Sequence, residues 1–394
     1  MERYSEIAIV VVAYNRPKSL ERLLSSLKKA DYLEDHVNLI ISIDKGENKG
    51  VIEVAENFKW EFGEKNVIIQ AEKLGLRRHI ICCGELTKQF NNIILLEDDL
   101  YLSDQYYKFS KKALGFYYNE KSIAGISLYA HSYNETARLP FAPLKGEHDV
   151  YFMQLPSSWG QLWTRQQWES FMNWYEGNNE KSLEDSFRFP RNINNWPETS
   201  WKKYFTKYMI EKNKFFVYPY DAYSTNFGDV GTHFWKNNTS FQVSLSKSKR
   251  EIELCKLEES KSVYDAFCEN MVLKKYFKKE GIDECTIDLY GTKSVQGNYI
   301  LTTKNLKYKL IQSYGLNLKP MEENIYANIE GDNIYLYDIR QVDNVNKKEK
   351  KSLHHQYEYF YPGLDIVKAA RLLFNLFTLK TVYMVIKKKF LRIK

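Results

Sequence analysis

Three consecutive carboxylates, Glu97, Asp98 and Asp99, follow directly on the aliphatic residues Ile93 to Leu96 in the stretch NNIILLEDDLYLSD, residues 91–104. The aliphatic run predicts a strand buried on both faces, where an unpaired carboxylate is costly to desolvate. A positive partner is therefore expected at the end of that strand. Hard divalent cations prefer oxygen ligands, often take few of them from the protein, and complete their shell with phosphate and water. Carboxylates can approach a nucleotide diphosphate only through such a cation. A Mn²⁺ or Mg²⁺ ion held together with a diphosphate is the chemistry these residues point to. The alternatives are capping of the following helix, for which Ser103 is well placed, and pairing with lysines.

The elements around the carboxylates form a regular alternation. EIAIVVVAYN (6–15) reads as a strand, and RPKSLERLLSSLKKA as a helix with Pro17 in its first turn and Leu20, Leu23, Leu24 and Leu27 on one stripe. VNLIISIDKG (37–46) is a second strand ending in Asp44, and GVIEVAENFKWEFG a helix. NVIIQA (66–71) is a third strand, and LRRHIICCGELTKQF a helix leading to the fourth at 93–97. This is the pattern of an α/β fold with a doubly wound, mostly parallel sheet and helices on both faces. Ligands bind such sheets at the carboxyl ends of the strands, where Asp44 and Glu97–Asp99 fall. No GxGxxG turn follows the first strand and no GxxxxGK[ST] occurs, which removes the dinucleotide and P-loop readings.

Composition sets the outer bounds. The chain has 394 residues, 44% apolar and 27% charged, enough for a sizeable core and for more than one unit. Its net charge of +7 is modest, and no nucleic-acid module is recognisable, so no nucleic-acid partner is expected. Five cysteines, none in a CxxC or zinc spacing, suit a reducing cytoplasm. The apolar run in MERYSEIAIVVVAYNRP is too short to be expected as an export signal, and no stretch reaches the roughly 20 apolar residues of a span.

With these residues in view, the chain resembles the GT-A glycosyltransferases, and within them the N-acetylglucosaminyltransferase I-like group, which carries Glu-Asp-Asp at the metal strand. It is also similar to bacterial family 2 type sugar transferases. The likeness covers roughly residues 6–235. It rests on VVAYNRP, SIDKG, LGLRRHIICCGEL, LLEDDLYLSDQYYKFSKKAL, SSWGQLWTRQQW (157–168) and YPYDAYSTNFGDVGTHF (218–234), in the family's order. The resemblance implies a UDP-sugar donor held with Mn²⁺ or Mg²⁺. Ala13 and Arg16 would line the uridine and phosphate loop, Asp44 would contact uracil, and His79 would stand in the nucleotide pocket. Glu97 would face the donor sugar, Asp98 the ribose, and Asp99 would ligate the metal, with His233 as a possible further ligand. Inverting transfer needs a carboxylate to take the acceptor's proton. Glu198, three residues before Trp201, is that candidate, and Asp229 competes with it. Trp163 and Trp168 are expected in the core, while Gly160 suggests a close backbone approach.

Residues 1–240 are expected to form the nucleotide-sugar-binding and catalytic domain, 241–345 an accessory α+β region facing the acceptor side, and 346–363 a linker. Within the accessory region KSKREIELCKLEESKS reads as a charged helix, and the segments DECTIDLYGTKSVQGNYILTTKNLKYKL and NIYANIEGDNIYLYDIRQ as strands. Residues 364–394 are basic and amphipathic, fit to hold the enzyme on an anionic membrane from the cytoplasmic side; a capping helix is the alternative. The expected activity is metal-dependent inverting transfer of a sugar, GlcNAc by resemblance, to a cell-surface polysaccharide or a lipid-linked oligosaccharide. A UDP-hexose transferase, a nucleotide-sugar pyrophosphorylase and a non-catalytic sugar-binding protein are the alternatives.

Overall fold

Consecutive apolar residues build the centre of a nine-stranded sheet. The computed structural model describes residues 6–179, 188–229, 239, 241–343, 358–363, 365, 367–368 and 371. β1 (Ala8–Ala13) is buried at every position. Its side chains alternate between two apolar layers, with Ile9, Val11 and Ala13 on one face and Ala8, Val10 and Val12 on the other. α1 (Pro17–Leu27) covers the first face with Leu20, Leu23, Leu24 and Leu27, all fully buried. Each such leucine contributes about 1.5–3 kcal/mol by leaving water. β2 (Leu39–Ile43), α2 (Gly50–Asn57), β3 (Lys65–Ile69), α3 (Gly75–Gly84) and β4 (Asn92–Glu97) continue the alternation.

The chain then runs through β5 (Leu100–Leu102), α4 (Tyr106–Tyr117), β6 (Ile123–Ser127), β7 (Val150–Met153) and β8 (Gln161–Thr164). α5 (Arg165–Tyr175), α6 (Trp201–Glu211), β9 (Phe215–Pro219), β10 (Ser224–Asn226) and β11 (Val263–Tyr264) follow. The sheet order is β11-β7-β9-β6-β8-β4-β1-β2-β3. β1 to β4 are mutually parallel, and β8 runs antiparallel between β4 and β6. β2 lies on one side of β1 and β4 on the other, so the winding reverses between β1 and β4. Sheets of this kind bind their ligands at such a switch point, beyond the carboxyl ends of the strands.

A second, four-stranded sheet is built from β12 (Cys285–Asp288), β13 (Tyr299–Thr302), β14 (Tyr308–Tyr314) and β15 (Ile334–Val342), in the order β12-β13-β15-β14. Two short helices, α7 (Val272–Lys279) and α8 (Met321–Tyr326), pack into its core. The large sheet takes its outermost strand from Val263–Tyr264, so the boundary drawn at 240 falls inside the unit that builds that sheet.

Three local readings change. The segment KSKREIELCKLEESKS is not a helix. It is pinned open at Asp149, whose carboxylate takes Arg250 and the Glu253 amide while its own amide donates to the Glu253 carbonyl. The helix read through GVIEVAENFKWEFG stops at Asn57, because Trp60 and Phe62 turn inward onto Tyr32 and the Trp60 indole donates to the Val37 carbonyl. Residues 324–326, read as strand, close α8 instead. The five cysteines are unpaired. Among the described residues no helix is long and apolar enough to cross a membrane.

Candidate functional site

The partner of two of the three carboxylates is an arginine. Val12 pairs with Glu97 across the β1–β4 ladder, and the Asp98 amide donates to the Val12 carbonyl at 3.1 Å. This brings the loop after β1 over the end of β4. Arg16 in that loop donates from Nη1 to Asp99 Oδ2 at 3.0 Å and from Nη2 to Asp98 Oδ1. Burial opposes the Arg16 charge, but Asp98 and Asp99 outweigh it and raise its pKa, so the guanidinium stays charged. Burial pushes the Asp98 carboxyl up to about 6 against the pull of Arg16. Burial, and then the charge of Asp99, raises the Glu97 carboxyl well above the usual carboxylate range. Among the described residues the Glu97 side chain makes no hydrogen bond or ion pair.

One oxygen is left over. Asp99 Oδ1 is buried without a hydrogen-bond partner, and so is Asn15 Oδ1 in the neighbouring loop. A buried carboxylate oxygen with nothing to accept from suits a hard cation that takes a single protein carboxylate and completes its shell from phosphate and water. Asp99 therefore fits Mn²⁺ or Mg²⁺. No cluster of three or more acidic, His or Cys side chains able to hold a metal occurs among the described residues.

Ala13 is buried at the end of β1, its carbonyl accepting from the Asp44 amide at 2.9 Å. Asp44 sits at the N-terminus of α3 and accepts from Lys45, Leu74 and Gly75 amides at 2.9, 2.7 and 2.9 Å. An anion there complements the helix dipole. Gly75 has φ +73°, which makes glycine the natural residue for this turn. His79 lies on the inner side of α3 with Nε2 2.8 Å from the Ser42 hydroxyl. Burial brings its pKa down to about 4, with Asp44 opposing, so the ring is neutral.

Both base candidates are engaged. Glu198 precedes α6 and accepts from Lys203 Nζ at 2.6 Å and from the Tyr204 hydroxyl. Burial acts upward on Glu198, but these bonds outweigh it and hold its carboxyl below the ordinary value. Asp229 accepts from the Ser19 hydroxyl at 2.7 Å and from both terminal nitrogens of Arg22. Its pKa is likewise lowered, hydrogen bonds from Arg22 and Ser19 overcoming burial. Arg22 also stacks 3.7 Å from the Phe227 ring centre, and the Phe227 amide donates to the Asp99 carbonyl at 3.0 Å. Asp229 is thereby tied to the segment beside Asp99. His233 lies outside the described residues.

Trp163 and Trp168 are fully buried, whereas Trp159 remains partly exposed. Gly160 adopts φ +89°, and a β-carbon there would lie 3.1 Å from Leu128, so the close approach expected of it is present. Sequence reasoning missed Lys202, Trp196 and His131. Lys202 carries a signal in retrospect: it is a cation in the first turn of α6, against the helix dipole. A separate groove of about 430 Å³, lined by residues such as Trp174, Tyr208 and Lys212, contains none of the expected residues.

No family model matches the chain, and no curated protein matches it. Among solved structures the chain is similar to S. aureus TarS 1–349, at 16% identity and a TM-score of 0.35, over 56% of this chain and 59% of that one. The same protein in complex with UDP-GlcNAc gives 15% identity and a TM-score of 0.35, over 56% of this chain and 57% of that one. A mannosyltransferase from Pyrobaculum calidifontis, in complex with GDP-Man and Mn²⁺, gives 10% identity and a TM-score of 0.31, over 43% of this chain and 46% of that one. The chain thus spans less than two thirds of each. Likeness at this level carries no argument.

Proposed function

We propose that the chain is a metal-dependent glycosyltransferase of GT-A type that uses a nucleotide-activated sugar. One observation carries the reading. A carboxylate triplet stands at the sheet's switch point with Arg16 across two of its members, while Asp99 Oδ1 remains buried and unsatisfied. Asp99 would hold Mn²⁺ or Mg²⁺, which when bound offsets negative charge on the leaving diphosphate. Arg16 keeps its charge beside the phosphates and fixes Asp98 and Asp99 in place. Ala13, Asp44 and His79 form the wall on which the uridine rests, with Asp98 toward the ribose. Glu97, which has no protein partner, faces the sugar. Of the two bases, the reading favours Glu198: its side chain is half exposed, whereas Asp229 is taken up by Arg22 and Ser19. Glu198 would receive the proton of the acceptor hydroxyl as the sugar transfers with inversion.

The donor favoured is UDP-GlcNAc, on resemblance, and the acceptor a cell-surface polysaccharide or lipid-linked oligosaccharide. The basic segment 364–394, most of which lies outside the described residues, would bring the enzyme to the cytoplasmic face of the membrane. Cosedimentation of the intact chain with anionic vesicles at low salt, lost on deleting 364–394, checks this placement. The reaction itself is tested by screening UDP-, GDP- and CMP-sugars for Mn²⁺-dependent thermal stabilisation and donor hydrolysis. Ligand at 100 times its Kd stabilises by about 2.7 kcal/mol, readily seen as a shift in Tm. Stabilisation by UDP-sugars with Mn²⁺ supports the reading. No response to any nucleotide sugar refutes it.

A further inference from the structure

Glu97 closes β4, and Asp98 and Asp99 follow it in the turn before β5. Arg16 attends Asp98 and Asp99, and no cation is paired with Glu97 among the described residues. Lys202 opens α6 directly after Trp201, and its Nζ stands 5.2 Å from the ring centre of Trp159 and 5.1 Å from that of Trp196. All three side chains are partly exposed. β8 runs antiparallel to β4 with Gln161 opposite Leu95, so Trp159, two residues before Gln161, lies toward the Glu97 end of β4 and brings Lys202 with it. Other lysines of the same helix are paired, Lys203 with Glu198 and Lys207 with Glu211. Among the described residues Lys202 has no ion pair. The two indole faces steady this cation against an unfavourable helix dipole and leave its ammonium without a counter-ion among the described residues.

A second observation lies beside it in the same strand pair. Gln161 pairs with Leu95, two residues before Glu97, and is fully buried with neither amide oxygen nor nitrogen bonded. The surroundings of the Glu97 end of β4 therefore hold an unpaired cation, two indole rings and unsatisfied amide groups. Indole faces suit the C–H faces of a sugar ring, and an ammonium suits a carboxylate or a phosphate.

We propose that Trp159, Trp196 and Lys202 form a subsite for a saccharide bearing a negative group, either a uronate carboxylate or a phosphate ester. The inference rests on the transferase reading and names the substrate class of its sugar side. UDP-glucuronate and UDP-glucose make a suitable pair, because they differ only in having a carboxylate or a hydroxymethyl at C6. Calorimetry should show wild type binding UDP-glucuronate about tenfold more tightly, or methyl glucuronide or glucose 6-phosphate about tenfold more tightly than methyl glucoside or glucose. Which pair responds tells carboxylate from phosphate and donor from acceptor. Lys202→Gln should remove the preference while leaving UDP affinity unchanged, and Lys202→Arg should retain it. Equal affinity for anionic and neutral sugars in every pair overturns the proposal. So does a loss of UDP affinity in Lys202→Gln as large as the loss for the anionic sugar, because Lys202 then reads the diphosphate. If UDP does not bind at all, the transferase reading fails, and the free sugar pairs still decide the subsite.

Discussion

Removing the Arg16 guanidinium should be far more damaging than removing an ordinary surface charge. Arg16→Met keeps most of the side-chain volume and deletes the partner of two carboxylates at once. The Asp98 side chain is only 4% exposed, and Nη1 lies 3.0 Å from Asp99. At that distance and an effective dielectric near 20, one contact is worth about 5 kcal/mol before desolvation is charged against it. Taking one partner from a buried pair typically costs about 3–5 kcal/mol, because the remaining charge stays buried and uncompensated. Arg16→Met should therefore lose about that much in urea unfolding followed by tryptophan fluorescence in EDTA. Mn²⁺ should return more stability to the variant than it adds to wild type, since a cation at Asp99 then replaces the missing charge. A loss below about 1 kcal/mol without metal would refute the view that Arg16 satisfies the end of β4.

Glu198→Gln should lower turnover by about 100-fold or more with donor affinity little changed, whereas Asp229→Asn should act mainly by loosening the segment tied to Arg22. If Asp229→Asn abolishes turnover in a stable protein while Glu198→Gln stays active, the two assignments exchange. His79 is 2% exposed and neutral, its pKa depressed to about 4. A depressed histidine pKa means that the unfolded chain binds the extra proton first as pH falls. Stability from this residue is thus complete above about 6.5 and is lost as pH drops toward 4, by roughly 3 kcal/mol in all. His79→Asn should flatten that part of the stability–pH curve, and an unchanged curve would show that other groups set it.

Much of this arrangement was legible in the chain because burial on both faces leaves an unmistakable mark. AIVVVA, LIISI and NIILLE are apolar at nearly every position, and no amphipathic element reads that way. The positions of Asp44 and Glu97–Asp99 at strand ends follow from those runs alone. What satisfies them did not. Arg16 reaches Asp98 across 82 positions, and only the parallel register of β1 with β4 brings the two together. The same holds for Lys202, whose indole partners come from separate segments. QLWT carries a weak signal for another reason: it is a central strand of only four residues followed at once by α5, so strand and helix periods share one short window. The irregular run 247–260 has charge suited to a helix but is held extended by Asp149, a tertiary contact that propensity cannot anticipate.

The most direct test of the central claim is calorimetric titration of UDP into wild type and Asp99→Asn, each with Mn²⁺ and with EDTA. The account predicts that wild type binds UDP only when Mn²⁺ is present, and that Asp99→Asn, folded as judged by its unfolding curve, loses the Mn²⁺-dependent part. Binding of equal strength in EDTA, or full Mn²⁺-dependent binding by Asp99→Asn, would contradict it.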